Sequence, residues 1–316
     1  METEDRLTIV AGSGNPRLAE SIAERLGVGL CPSIITRFPD SELYVELGDS
    51  VRGCDVYVVQ PTGPPVDGHL MELLLLADAC RRAGAARLTA IVPYFGYARQ
   101  DRRAKGREAV PGRVTADMLG IAGFQRIVSV DLHTPSLEGF FGIPLEHLSA
   151  VAALANAIDD SVTDDAVIVA PDLGAVRLAE SYAQLLHRPI AIAHKTRLSG
   201  SDVQVQGIVG DVAGRVPVIV DDMISTAGTI EAAVKALLAA GCRREIIVLA
   251  SHALLVGPAI ERLSALPLKR LVVADSLPLP EHGSLPIEIV SLAPMLGETI
   301  ARLKVGESMS ELLSHR

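Results

Sequence analysis

Residues 218–229, Val-Ile-Val-Asp-Asp-Met-Ile-Ser-Thr-Ala-Gly-Thr, concentrate more chemistry than any other stretch of this chain. Three β-branched residues run into two adjacent carboxylates, Asp221 and Asp222. A loop of small residues follows, Ser225, Thr226, Ala227, Gly228 and Thr229, and then a helical pattern over 230–240. A buried strand that opens into such a loop at a helix N-terminus makes an anion site. Backbone N–H groups converge there, and the helix dipole favours negative charge. The hydroxyls add donors for phosphate oxygens, and the paired carboxylates suit sugar hydroxyls or a hydrated metal. Together they predict a phosphorylated sugar lying across the loop.

Other clusters carry chemistry of the same kind. Pro93-Tyr-Phe-Gly-Tyr-Ala-Arg-Gln-Asp-Arg-Arg103 leads from a strand into Arg99, Gln100, Arg102 and Arg103, with Lys105, Arg107 and Arg113 beyond. In a chain of net charge −9, that basic run implies a ligand of high negative charge density. Gly96, Gly106 and Gly112 predict that 97–113 is a lid able to close over polyphosphate and exclude water. Asp131 and His133 end another strand, where alternation puts them on one face toward metal or phosphate. Asp172 repeats the pattern of strand, carboxylate, glycine and helix, as an N-cap or as a ligand-binding group. His194-Lys195-Thr196-Arg197 puts two cations, Lys195 and Arg197, two residues apart on an extended segment, fit to neutralise a transferring phosphoryl group. Phe38-Pro-Asp-Ser-Glu42 is a turn sequence. Its aromatic ring beside Asp40 and Glu42 can also stack on a base and accept from an exocyclic amine.

The elements that must hold these groups alternate along the chain. Strand patterns fall at 7–11, 43–47, 56–60, 88–93, 127–131, 166–170, 190–193, 217–222, 246–251 and 271–275. Helical patterns fall at 16–26, 69–83, 174–186 and 229–240. Such alternation predicts an α/β fold of parallel sheets with right-handed crossovers. Segments 56–93 and 217–251 share one layout, which predicts two related domains meeting near 144–151. The first copy has Gln60-Pro-Thr-Gly-Pro-Pro in place of the carboxylate pair, so only the second half is expected to hold the sugar-phosphate loop. Nearly half of the 316 residues are apolar and Trp is absent, so the cores must be built from Ala, Val, Leu and Ile. The acidic balance argues against nucleic acid. Cys31, Cys54, Cys80 and Cys242 lack metal-ligand spacing and read as buried, reduced thiols. The acidic start is not a signal peptide, and no apolar run reaches membrane-spanning length, so a soluble cytoplasmic protein without a membrane partner is expected.

In this order, the motifs resemble those of the ribose-phosphate pyrophosphokinases (phosphoribosyl-pyrophosphate synthetases). The resemblance runs from Gly12-Ser-Gly-Asn15 through 38–42, 94–103, 130–133, 171–174, 195–197 and 221–229 to the tail Glu307-Ser-Met-Ser310. It implies two tandem phosphoribosyltransferase-type domains, each a mainly parallel sheet flanked by helices. These are expected at 1–148 and 149–299, with about 300–316 packing back on the first. It implies synthesis of 5-phosphoribosyl diphosphate and AMP from ATP and ribose 5-phosphate, with Mg²⁺, in a dimer-based homo-oligomer that can reach a hexamer. Carried onto this chain, it implies that Phe38, Asp40 and Glu42 hold adenine, in the ATP of a neighbouring subunit. Arg99 and Gln100 contact ATP phosphates, and His133 and Asp172 sit at Mg²⁺-ATP. Lys195 and Arg197 stabilise the transition state. Asp221 and Asp222 bind the ribose hydroxyls and their Mg²⁺, and 225–229 binds the 5-phosphate.

Two positions depart from the family pattern. Ser225 replaces an Asp that usually opens the loop, and Ala227 replaces one of two adjacent glycines. Ala227 adds a methyl group where the backbone nears phosphate and where φ > 0 is expected. Two alternatives stay open at this stage: a base-salvage phosphoribosyltransferase and a non-catalytic subunit associated with an active synthetase. If Lys195 acts in the chemical step, Lys195→Ala lowers kcat by several orders of magnitude with smaller changes in KM. Steady-state kinetics check this, and an effect on KM alone removes Lys195 from that step.

Overall fold

The computed structural model describes residues 6–197 and 203–313, with the backbone alone at Ser161, 194–197 and 203–206. Two compact units emerge. One comprises residues up to Ser149, Ser276–Pro278 and the stretch from Ser291 onward, and the other comprises Ala150–Asp275 and Leu279–Val290. No helix among the described residues is long and apolar enough to cross a membrane.

The first unit contains β1 (Leu7–Ala11), α1 (Pro16–Leu26), β2 (Leu30–Cys31), β3 (Ser33–Arg37), β4 (Leu43–Leu47), β5 (Asp55–Val59), α2 (Val66–Arg82), β6 (Arg87–Val92), α3 (Pro111–Ala122), β7 (Arg126–Val130) and β8 (Leu145–Leu148). Its main sheet has the order β2-β1-β5-β6-β7-β8, and every pairing is parallel. β3 and β4 form a separate antiparallel hairpin that packs on α2. The second unit contains α4 (Val151–Ile158), β9 (Ala166–Ala170), α5 (Val176–Leu186), β10 (Ile190–Arg197), β11 (Val203–Val209), β12 (Val216–Ile224), α6 (Gly228–Ala239), β13 (Ile246–Ala253), α7 (Ala259–Ser264), β14 (Leu268–Ala274) and β15 (Ile287–Val290). Its sheet runs β11-β10-β9-β12-β13-β14-β15, parallel except where β11 joins β10. Finally, α8 (Ala293–Val305) belongs to the first unit and packs on α1.

This is the expected α/β fold, and the reason is composition. The central strands β5, β9 and β13 are buried along their whole length, as predominantly apolar, β-branched-rich runs require when helices cover both faces of a parallel sheet. Strands at 7–11, 43–47 and 166–170 and the helix at 16–26 keep their expected limits. β12 runs on to Ile224, past the carboxylate pair, and β10 runs on to Arg197. The segments β5–α2–β6 and β12–α6–β13 share one topology, each a parallel pair of neighbours joined by a helix. All four cysteines are buried free thiols, and burial pushes the Cys80 thiol up to about 12.

Of the segment 97–113 expected as a lid, the last three residues belong to a helix. Pro111 opens α3, and Gly112 is buried, with an added Cβ falling 3.0 Å from the Leu137 side chain and 3.4 Å from the Tyr97 and Gln100 carbonyls. Gly112 is therefore a close-packing glycine, not a hinge.

The start of α1 is built around a buried charge. Ser13 donates through N and Oγ to the Glu72 carboxylate at 2.5 and 2.6 Å, and Gly14 N donates to Gln60 Oε1 at 2.8 Å. Gln60 Nε2 in turn donates to Glu72 Oε1 at 2.9 Å. A Cβ at Gly12 or Gly14 would collide with Gln60, which fixes glycine at both positions. The anion that a helix N-terminus attracts is here supplied by the chain itself. Glu72→Ala leaves buried N–H donors without a partner and is expected to lower the unfolding free energy by about 3 kcal/mol in urea denaturation. Glu72→Gln should cost less.

Candidate active site

The loop after β12 turns its carbonyls inward. Ser225 O accepts from Val256 N at 3.0 Å, Thr226 O from Arg262 Nη1 at 3.0 Å, and Ala227 O from Glu231 N at 2.9 Å. Across a planar trans peptide the carbonyl and the following N–H point in opposite directions. The N–H groups of Thr226, Ala227 and Gly228 are thereby turned to the other side, and among the described residues they have no partner. They lie at the N-terminus of α6, where aligned backbone dipoles favour an anion. Ala227 makes this turn with φ 58 and ψ 8. A left-handed alanine costs about 1 kcal/mol, and its buried methyl group joins the core cluster that contains Ile224, Ile230 and Leu255.

The equivalent loop after β5 has fewer such donors. Pro61, Pro64 and Pro65 have no N–H, while Gln60 N and Thr62 N donate to Ile91 O and Tyr94 O, both at 2.9 Å. A Cβ at Gly63 would collide with Leu277, and Thr62 Oγ1 accepts from Gly96 N at 2.7 Å. The two loops of one topology therefore differ in how many backbone donors they leave open.

Carboxylates crowd beside the donor-rich loop. Burial, then the neighbouring charges of Asp222 and Asp172, hold the Asp221 carboxyl well above the ordinary carboxylate range. Asp221 Oδ1 also accepts from Asp222 N at 3.0 Å. Asp172 does cap the following turn, because its Oδ1 accepts from Gly174 N at 2.9 Å and Ala175 N at 3.3 Å. Such a set of hard oxygen donors relieves its mutual repulsion by taking up a cation. Among the described residues, however, no three acidic, His or Cys side chains close into a metal cage. Lys195 and Arg197 fall on β10, next to β9, but their side chains lie outside the described residues.

In the first unit, Tyr94 and Phe95 are core residues, and Phe95 meets Phe141 edge-on at 5.4 Å. Arg99 and Gln100 are exposed, just past a turn in which the Tyr97 hydroxyl bonds to Asp67. Arg102 pairs with Asp101 at 2.7 Å and Arg113 with Asp117 at 2.9 Å, so part of the basic run is locally neutralised. The expected alternation of Asp131 and His133 does not hold. β7 ends at Val130, Asp131 takes φ 38 and is buried, and His133 is exposed. A residue that the sequence did not point to braces this corner. His147 Nε2 accepts from Leu132 N at 2.9 Å, which places the ring proton on Nδ1, 2.8 Å from Glu138 Oε1. At the tip of the β3–β4 hairpin, Glu42 O accepts from Phe38 N at 2.9 Å and Asp40 Oδ1 accepts from Glu42 N at 3.2 Å. Phe38 is 51% exposed there, edge-on to Tyr44.

Comparison with known proteins bears on both units. Residues 7–123 match the family model for the N-terminal domain of ribose phosphate pyrophosphokinase, and 201–314 match the phosphoribosyl synthetase-associated domain. A ribose-phosphate pyrophosphokinase of Caldanaerobacter subterraneus subsp. tengcongensis is 44% identical, over 98% of both chains. The chain belongs to the ribose-phosphate pyrophosphokinase family. One from Listeria ivanovii is 43% identical over the same shares. The crystal structure of the phosphoribosylpyrophosphate synthetase from Mycobacterium smegmatis superposes with a TM-score of 0.88 at 38% identity, covering 95% of this chain and 99% of that one.

Within this pyrophosphokinase fold, Asp221 makes the ligand-free site pH-sensitive. In the unfolded chain the carboxyl titrates at its ordinary 3.8, and in the folded chain it titrates well above that. Between the two values the folded chain holds a proton that the unfolded chain has lost, so stability falls as pH rises through this window. Thermal unfolding of the ligand-free chain should show that decline. Asp221→Asn should flatten it and raise Tm at neutral pH, and an unchanged slope would contradict the assignment.

Proposed function

We propose that this chain transfers the diphosphoryl group of ATP to the 1-hydroxyl of ribose 5-phosphate, giving 5-phosphoribosyl 1-diphosphate and AMP. The observation that carries the reading is the loop of 225–229, whose outward N–H groups adjoin the Asp221–Asp222 pair in a chain of this family. A phosphate fits the first and pentose hydroxyls fit the second. The loop residues Ser225, Thr226, Ala227, Gly228 and Thr229 are assigned to the 5-phosphate. Asp221 and Asp222 are assigned to the ribose hydroxyls.

The 1-hydroxyl oxygen bonds to the β-phosphorus of ATP and gives up its proton to solvent. The bond from that phosphorus to the oxygen bridging the α-phosphorus breaks, and AMP leaves with the bridging oxygen. Such a transfer requires alignment and charge neutralisation rather than covalent participation by the protein. Lys195, Arg197 and Arg99 are assigned to neutralisation, and Gln100 to positioning the ATP phosphates. Phe38, Asp40 and Glu42 are assigned to adenine, and the exposure of the Phe38 ring is what stacking on a base requires. The adenine they hold is proposed to be that of a second copy of this chain, within a dimer-based homo-oligomer that can reach a hexamer.

The repulsion among Asp172, Asp221 and Asp222 fits a bound Mg²⁺, and the absence of a closed cage among the described residues fits an ion that keeps water and phosphate ligands. His133 and Asp172 are assigned to Mg²⁺-ATP, where the ion supplies charge screening of the phosphates. The reaction is proposed to take place in the cytoplasm. AMP release from ATP, measured with and without Mg²⁺ and ribose 5-phosphate and with no nucleobase present, tests the reading. AMP should appear only when both are added. Release that ignores ribose 5-phosphate, or no release, rejects it.

A further inference from the structure

The pentose-phosphate loop presents its N–H groups only because three successive carbonyls are held on the opposite side. Two of the three clamps, on Ser225 and Ala227, are main-chain N–H groups of Val256 and Glu231. The middle one, on Thr226, is a side chain, the Arg262 guanidinium. We infer that Arg262, on α7, is a positioning residue for the 5-phosphate of the pentose substrate.

The geometry specifies how it acts. The peptide joining Thr226 to Ala227 lies at the crest of the loop, where the backbone enters the left-handed region at Ala227. That crest is the least regular part of the loop and has no ladder hydrogen bond to hold its plane. Arg262 Nη1 fixes the Thr226 carbonyl at 3.0 Å, and planarity then fixes the Ala227 N–H on the anion side. The guanidinium is itself held: Arg262 Nε lies 3.3 Å from Glu231 Oε2, and Glu231 Oε1 is 2.6 Å from Lys235 Nζ. A Cβ added to Gly228 would come within 3.1 Å of Nη1, so the planar group lies close against the loop. Arginine suits this place because its rigid fork serves the carbonyl and the carboxylate at once, which a single ammonium point charge does less well. The positive charge also sits just behind the N–H groups, where it adds to the attraction for phosphate. No feature of the sequence around 262 signals this role, and none of the residues assigned above from motifs lies on α7.

This inference rests on the reading that 225–229 binds ribose 5-phosphate, and the experiment separates the two. Ribose 5-phosphate and ATP are each titrated calorimetrically into the full-length wild-type chain, R262A and R262K, and steady-state kinetics are measured in parallel. R262A should raise the Kd for ribose 5-phosphate about ten-fold or more, because a charge-assisted hydrogen bond that orients a ligand donor is lost. The Kd for ATP should stay at the wild-type value, and the kinetic defect should fall on KM for the pentose rather than on kcat at saturation. R262K should lie between wild type and R262A. The inference is overturned if R262A binds ribose 5-phosphate as wild type does, if it loses ATP equally, or if R262K is no better than R262A. Should R262A fail to fold, R262K decides alone. A selective loss of pentose affinity then upholds the role, and unchanged affinity overturns it. Wild-type chain that binds no ribose 5-phosphate overturns the functional reading itself and this assignment with it, whereas wild-type binding with an indifferent R262A overturns the assignment only.

Discussion

A peptide unit cannot show its N–H to a ligand without showing its carbonyl to something else. That constraint organises the second unit. The loop of 225–229 can face an anion because Val256, Arg262 and Glu231 take its carbonyls. Those partners exist because β13 runs alongside β12 and leads through a tight turn into α7, which brings Val256 and Arg262 behind the loop. The positive φ of Ala227 and the closeness of Gly228 to the Arg262 guanidinium are the local costs of that geometry.

The same site stores a second unfavourable interaction. Asp221, Asp222 and Asp172 gather at one end of the sheet, and burial with mutual repulsion keeps the Asp221 carboxyl well above its ordinary range. A ligand-free protein gains nothing from this arrangement. Under the proposed function, a cation with a hydroxyl-bearing substrate would remove the repulsion, and part of the binding free energy would then be set by how unfavourable the empty site is. Strain in the loop and repulsion beside it both lie on short segments, and the fully buried strands β9 and β13 next to β12 hold them in place.

Much of this architecture is legible in the chain. The largely apolar runs of β5, β9 and β13 announce buried parallel strands, and Asp221-Asp222 with 225–229 announces a strand that opens into a donor-rich loop at a helix N-terminus. The limits of that reading have physical causes. β2 has only two residues and makes no periodic signal. The pairing of His147 with Leu132 and Glu138 joins residues distant in sequence, and so does Arg262 with Thr226; no local pattern encodes either. Gly112 looked like a hinge because a glycine required by close packing and a glycine required for motion are identical as letters. Asp131 leaves the face of His133 because the backbone turns left-handed at the end of β7, which defeats simple alternation. The role of Glu72 is likewise a tertiary fact: at 3% exposure among the leucines of α2 its carboxylate needs donors, and it finds them at the start of α1.

The prolines after β5 have a wider meaning. Two halves of one topology invite the idea of twin receptacles, yet Pro61, Pro64 and Pro65 remove from the first several of the hydrogens with which a backbone can grip a phosphate. If the halves descend from a common ancestor, substitution for imino acids was a way of retiring one copy without dismantling its scaffold. What survives is an uneven pair of loops: prolines stand in the first where the second keeps its N–H groups.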